Sequence, residues 1–172
     1  MQIQTTRFGV VTVDPAHVMT FPDRLVGFED DAGASRFTLL QSDDWGPFYW
    51  LQSAENPELA FLVVDPALFF KDYEVCIREE TQQDLDLTDA KDGQVLVICN
   101  RAGQWITGNL LGPVVINTRT RVAQQLVLTE KKWTCRQPLI RLDTDTQLAA
   151  VQRTAGASGN PTESMTSVRA AA

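Results

Sequence analysis

Leu59-Ala60-Phe61-Leu62-Val63-Val64 is an unbroken run of six apolar residues. Asn56-Pro57 stands before it and Asp65-Pro66 after it, so turn chemistry bounds it on both sides. A bounded apolar run of this length is the pattern of a strand buried on both faces. Other stretches around it read the same way. Phe8–Val13 alternates with apolar residues on both faces, and Phe37–Leu40 and Pro47–Gln52 are further strands. Gln94–Cys99 follows the turn signal Lys91-Asp92-Gly93, and Pro113–Asn117 and Gln124–Leu128 add two more. Helix is scarce. Asp65-Pro66 can cap a single turn, with Asp65 at the N-cap and Pro66 at the first helical position, and Arg78–Leu87 reads as a second short helix. Short strands with frequent turn signals predict an all-β fold, mostly antiparallel, built as a barrel or sandwich with one or two short helical turns.

At 172 residues the length suits one domain, and 44% apolar residues are enough for a core. Residues 1–142 form the predicted domain. Residues 143–172 are small and polar and cannot offset chain entropy by burial, so they read as a flexible tail. The formal net charge is −7, of which −1 falls on the tail and −6 on residues 1–142. An acidic surface disfavours direct binding to nucleic acid or anionic lipid and favours basic protein partners. Cys76, Cys99 and Cys135 are odd in number and widely spaced, which fits a reducing compartment. The N-terminus lacks the pattern of a secretion signal, and no apolar run approaches the ~20 residues of a membrane span. The expected location is cytoplasmic.

Catalytic groups are hard to find. His17 is the only histidine and lies in the turn Asp14-Pro15-Ala16-His17, where a solvated side chain is the better reading than a base or metal ligand. Gly103–Gly108 has the glycine spacing of a phosphate loop, but Asn109-Leu110 follows where lysine and a hydroxyl residue are required, so it reads as a loop between strands. No cofactor or metal is expected. Acidic clusters occur at Glu29-Asp30-Asp31, Asp43-Asp44, Glu79-Glu80 and Asp84–Asp86. They read first as solvated turns and second as a surface for a partner. Phe28, Phe37, Phe61 and Trp50 fall in strand-like patterns and are assigned to the core. Trp45, Phe69, Phe70 and Tyr73 lie by turns and are candidates for an exposed apolar patch, although core is the commoner fate of any one.

An ordered series of segments carries a family resemblance. Phe21-Pro22 leads to Leu25 and Gly27-Phe28-Glu29. Pro47–Ser53 (PFYWLQS), Leu59-Ala60-Phe61, Val64-Asp65-Pro66 and Asp72-Tyr73 follow. Thr107–Asn117 (TGNLLGPVVIN), Ala123-Gln124, Leu126-Val127-Leu128, Arg136 and Pro138-Leu139 complete it. Across residues 3–142 this order and spacing resembles the flagellar assembly factor FliW family. Arg24 stands where that family usually has glycine, Lys71 where it often has proline, and Gly112 where alanine is usual. Cys99-Asn100-Arg101 replaces a more apolar stretch.

The resemblance implies a compact antiparallel barrel-like fold with no enzymatic activity and with two protein partners. One is flagellin, held in the cytoplasm before export. The other is CsrA, an RNA-binding homodimer that represses flagellin translation and is antagonised by free FliW, beside its RNA site. Candidate contact residues are Glu29, Asp30 and Asp31, together with Asp65, Phe69, Phe70, Asp72, Tyr73 and Glu74. Two other readings compete: a flagellin chaperone without a regulatory arm, and a small-ligand barrel or carboxylate enzyme.

Overall fold

The computed structural model describes residues 1–41, 46–142 and 168–170. Asp43, Asp44 and Trp45, and the tail from 143 to 167, lie outside them. The strands are β1 (Gln2–Thr5), β2 (Gly9–Thr12), β3 (Met19–Thr20), β4 (Arg36–Gln41), β5 (Tyr49–Ser53), β6 (Ala60–Val64), β7 (Val75–Ile77), β8 (Gly93–Ala102), β9 (Trp105–Gly108), β10 (Val114–Asn117), β11 (Ala123–Gln125), β12 (Gln137–Arg141) and β13 (Val168–Ala170). Among the described residues one α-helix, α1, spans Glu79–Asp84.

The main sheet runs β11-β10-β8-β6-β5-β4-β3, with β9 and β12 branching from β8. Its neighbours are all antiparallel. The two ends of the path meet, because Thr20 bridges Val122 and its N–H donates to the Arg121 carbonyl at 2.8 Å. The sheet therefore curls into the expected barrel-like form and encloses an inner core. Every strand of the path supplies that core: Met19, Phe37, Leu51, Val63, Leu96, Val114, Ile116 and Ala123. Residues of opposite parity face outward into a second core. There Leu62, Val64, Val95, Val97 and Val115 are covered by Tyr73, Val75, Ile77, Leu85, Leu87 and Trp133. This double cover is why the run at 59–64 has no polar residue. β6 sits between β5 and β8 at the centre of the path, and Val63 and Val64 are both fully buried on opposite faces.

Other expectations shift in detail. The strand read at Phe8–Val13 is β2, and it pairs with Gln2–Thr5, whose polar alternation gave little signal. Val10 is 56% exposed, since the hairpin stands apart from the main sheet. The stretch Gly103–Gly108 is not all loop. Ala102 pairs with Trp105 across Gly103-Gln104, where Gly103 has φ +62°, and β9 begins at once. The helix read at Arg78–Leu87 is shorter, α1 being followed by Leu85 and by Asp86 at φ +50°. The turn at Pro66–Leu68 forms as read, with Asp65 Oδ1 accepting the Ala67 N–H at 2.8 Å. Asp14 caps Pro15–His17 by the same device, and His17 is exposed.

Candidate partner-binding surface

Residues 72–92 contain eight acids and two bases, whereas the rest of residues 1–142 contains eleven of each. The whole net charge of −6 on the domain therefore belongs to one segment. That segment is β7, α1 and the turns around them, the layer that covers the outer core. Its buried residues, Tyr73, Val75, Ile77, Leu85 and Leu87, fix it to the sheet. Its charged residues are left to face water.

Helix α1 has the sequence EETQQD and buries none of its residues. Propensity alone does not hold six residues in a helix. Glu79 and Glu80 in the first turn favour it by complementing the helix dipole. Gln82 also donates through Nε2 to the Ile77 carbonyl at 2.8 Å. At its far end the fully buried Asn117 donates through Nδ2 to the carbonyls of Leu85 and Asp86, at 3.0 and 2.8 Å. Its Oδ1 accepts the N–H groups of Arg119 and Thr120. One side chain thus ties the acidic layer to β10.

Ion pairs neutralise part of the segment. Asp72 meets Lys132 at 2.6 Å and Asp89 meets Lys91 at 2.9 Å. Arg119 meets Asp86 at 3.0 Å and Asp92 at 3.9 Å. The Lys132 hydrogen bond holds the Asp72 carboxyl below its usual range, and the Lys91 hydrogen bond does the same for Asp89. Glu74, Glu79, Glu80 and Asp84 are exposed and make none of these pairs. They are the source of the uncompensated field. Asp84 also lines a crevice of about 200 Å³ with Pro22, Asp23, Leu85 and Gln124. That volume is below the roughly 300–1,000 Å³ of small-molecule sites. Among the described residues no group of three or more His, Cys, Asp or Glu is arranged to hold a metal ion.

The candidate residues read from the sequence fall into two separate places. Phe28, beside Glu29–Asp31, packs edge-on against Phe61 at 5.2 Å on the inner core. Phe69, Phe70 and Tyr73 belong to the outer core, on the opposite face of the sheet. Glu29 Oε1 accepts the Gly27 N–H at 2.9 Å, which lowers the carboxyl pKa, and Asp31 Oδ1 accepts the Gly33 N–H at 2.8 Å. Asp30 is exposed. Asp65 is the buried cap already described. Tyr73 is 1% exposed, donates its hydroxyl to the Leu110 carbonyl at 2.8 Å and packs on Trp133. It is a core residue. Phe69 and Phe70 are half-buried against Phe48 and Trp133. Only Asp72 and Glu74 of that group are exposed, at one end of the acidic segment. In the sequence the acids of α1 read first as solvated turns and only second as a partner surface. A charge count over a window of about twenty residues is the signal that points to them.

Comparison with known proteins bears on the same chain. The family model described as FliW protein matches residues 2–139. The flagellar assembly factor FliW of Geobacter sulfurreducens is 39% identical over 140 residues, covering 80% of this chain and 86% of that protein. That of Natranaerobius thermophilus is 37% identical over 145 residues, covering 81% and 92%. The crystal structure of a flagellar assembly factor FliW is similar with a TM-score of 0.73 at 29% identity, covering 84% of this chain and all of that one.

Proposed function

The chain belongs to the FliW family of flagellar assembly factors, and on that premise we propose that it acts in the cytoplasm by binding flagellin and a CsrA-type RNA-binding regulator. Flagellin occupies it until export drains the pool. The freed protein then binds the regulator and relieves repression of flagellin synthesis. To do so it must prefer the RNA-free state of the regulator, because a ligand shifts an equilibrium only by differential affinity.

The observation that carries this reading is the gathering of the domain's entire net charge on residues 72–92. An RNA-binding partner presents cationic surface, and a single-sign patch steers encounter and selects the partner. A family named for flagellar assembly accords with a binding role.

Calorimetry with purified regulator and purified flagellin, each alone and then in competition, tests the proposal. Both bind, and prior saturation with flagellin suppresses the heat of regulator binding. No heat with the regulator overturns the regulatory arm. It leaves a flagellin chaperone, a reading that the exposed Phe8 and Val10 of the β1–β2 hairpin favour.

A further inference from the structure

The crevice beside the barrel seam brings together groups that nothing nearby neutralises. Pro22 and Asp23 line it from the chain after β3, Val122 and Gln124 from the seam, and Asp84 and Leu85 from the end of α1. Asp23 and Asp84 are exposed, and neither meets a lysine or arginine in an ion pair among the described residues. Gln124 donates through Nε2 to Asp23 Oδ2 at 3.1 Å, yet its Oε1, shielded from solvent, accepts no hydrogen bond. A shielded acceptor without a donor is uncommon in folded proteins. We propose that this crevice receives one arginine side chain of a protein partner.

The lining selects that occupant. Two carboxylates and an amide oxygen call for a cation with several N–H donors. A volume of about 200 Å³ suits a single side chain. Pro22, Leu85 and Val122 offer apolar wall to a methylene stem while the charged head reaches the acids. A bare metal ion gains nothing from such walls and needs more oxygen ligands than two carboxylates supply. The planar guanidinium fork reaches several acceptors at once, whereas a lysine ammonium is a point charge. On rotation of the Gln124 amide, the fork also gives Oε1 the donor it lacks.

The walls are held in place beforehand. The Thr20 N–H donates to the Arg121 carbonyl at 2.8 Å, and Asn117 Nδ2 donates to the Leu85 carbonyl at 3.0 Å. The seam and the end of α1 are thus tied to the same β10–β11 turn, and a formed pocket loses little freedom on binding. The inference deepens the proposed function and rests on its cationic partner: the acids of α1 steer the encounter, and the crevice retains it.

A magnetic-resonance titration of the full chain with N-acetyl-arginine methylamide tests the pocket without any protein partner. The backbone amides of Asp23 and Asp84 and the side-chain amide of Gln124 shift along one saturable curve. The uncharged citrulline analogue binds several-fold more weakly. In the double variant Asp23→Asn, Asp84→Asn the affinity for the arginine probe falls at least ten-fold. No saturable shift, equal binding of the citrulline analogue or undiminished affinity in the variant overturns the proposal. Binding kinetics with the regulator then separate retention from steering. The double variant dissociates at least ten-fold faster than wild type, while the charge-matched Glu79→Gln, Glu80→Gln changes mainly the association rate. Equal dissociation rates in the two variants overturn the pocket as the partner's anchor. A wild type that does not bind the regulator at all overturns the functional reading instead, and the probe titration still decides whether the crevice takes arginine.

Discussion

Arg24 and Arg121 both hold left-handed backbone, at φ +59° and +62°, a region that costs residues with a Cβ about 1–2 kcal/mol. The angle at position 24 is one that glycine adopts without strain, in accord with the glycine that the resemblance implies there. Arg24 offsets the strain by donating through Nη1 to the Glu29 carbonyl at 2.6 Å. Arg121→Gly is therefore expected to raise stability by about 1 kcal/mol in chemical denaturation, while Arg24→Gly changes it little. Tyr73→Phe removes the donor to the buried Leu110 carbonyl, and a loss of about 1–3 kcal/mol follows if Tyr73 is core as described. A loss near zero, with weakened partner binding, would return Tyr73 to the contact surface. Burial pushes the Cys99 thiol up from 9.0 to about 12. Between those values the unfolded chain ionises and the folded one does not. The group contributes nothing below pH 9, and above it stability falls by up to about 1.4 kcal/mol per pH unit, as far as pH 12. Denaturation at pH 8 and pH 10 should show this slope in the wild type and a shallower one in Cys99→Ala. A residual slope is expected, because burial also raises the Tyr73 hydroxyl.

Among the elements, β6 and β8 explain the most, since each feeds two cores. Leu96 faces the inner core and Leu85 belongs to the outer layer, and both are at most 1% exposed. Leu96→Ala and Leu85→Ala are each expected to cost about 2–5 kcal/mol. A much smaller cost for Leu85→Ala would mean that the acidic layer is loosely held. The lysine-less glycine loop became a tight hairpin because Gly103 could take a positive φ. At Gly112 a Cβ would come within 2.5 Å of Asn109 Nδ2, whose amide stays close only because glycine stands where alanine is usual. Sequence reading placed the apolar strands to within a few residues, as hydrophobic runs and turn residues are local signals. It missed β1, β7 and β12, short strands of mixed polar and apolar residues that leave no such pattern. It also assigned Phe8–Val13 to a strand without showing that the hairpin stands clear of the sheet.

For the molecule as a whole, the acidic patch behaves as a long-range property and its test is ionic strength. The triple variant Glu79→Lys, Glu80→Lys, Asp84→Lys reverses the uncompensated acids of α1 and touches no buried residue. Association with the regulator should slow at least ten-fold at low salt, and the difference should shrink as salt screens the field. An association rate that ignores both salt and the variant would exclude steering by this surface. The sequence by itself determined the all-β class, the capped turn at Asp65-Pro66, the sign of the charge and the family-specific order of segments from Phe21 to Leu139. These follow from side-chain period, local turn chemistry and composition, which need no partner in space. Tertiary structure decided the rest. It showed that the continuous run at 59–64 is apolar because two cores meet on one sheet, and it separated Glu29–Asp31 from Asp65–Glu74 onto opposite faces. It turned Tyr73 inward while leaving α1 without a buried residue. Burial depends on what packs from elsewhere in the chain, and neither a turn aromatic nor a helix of acids carries that information in its own neighbourhood.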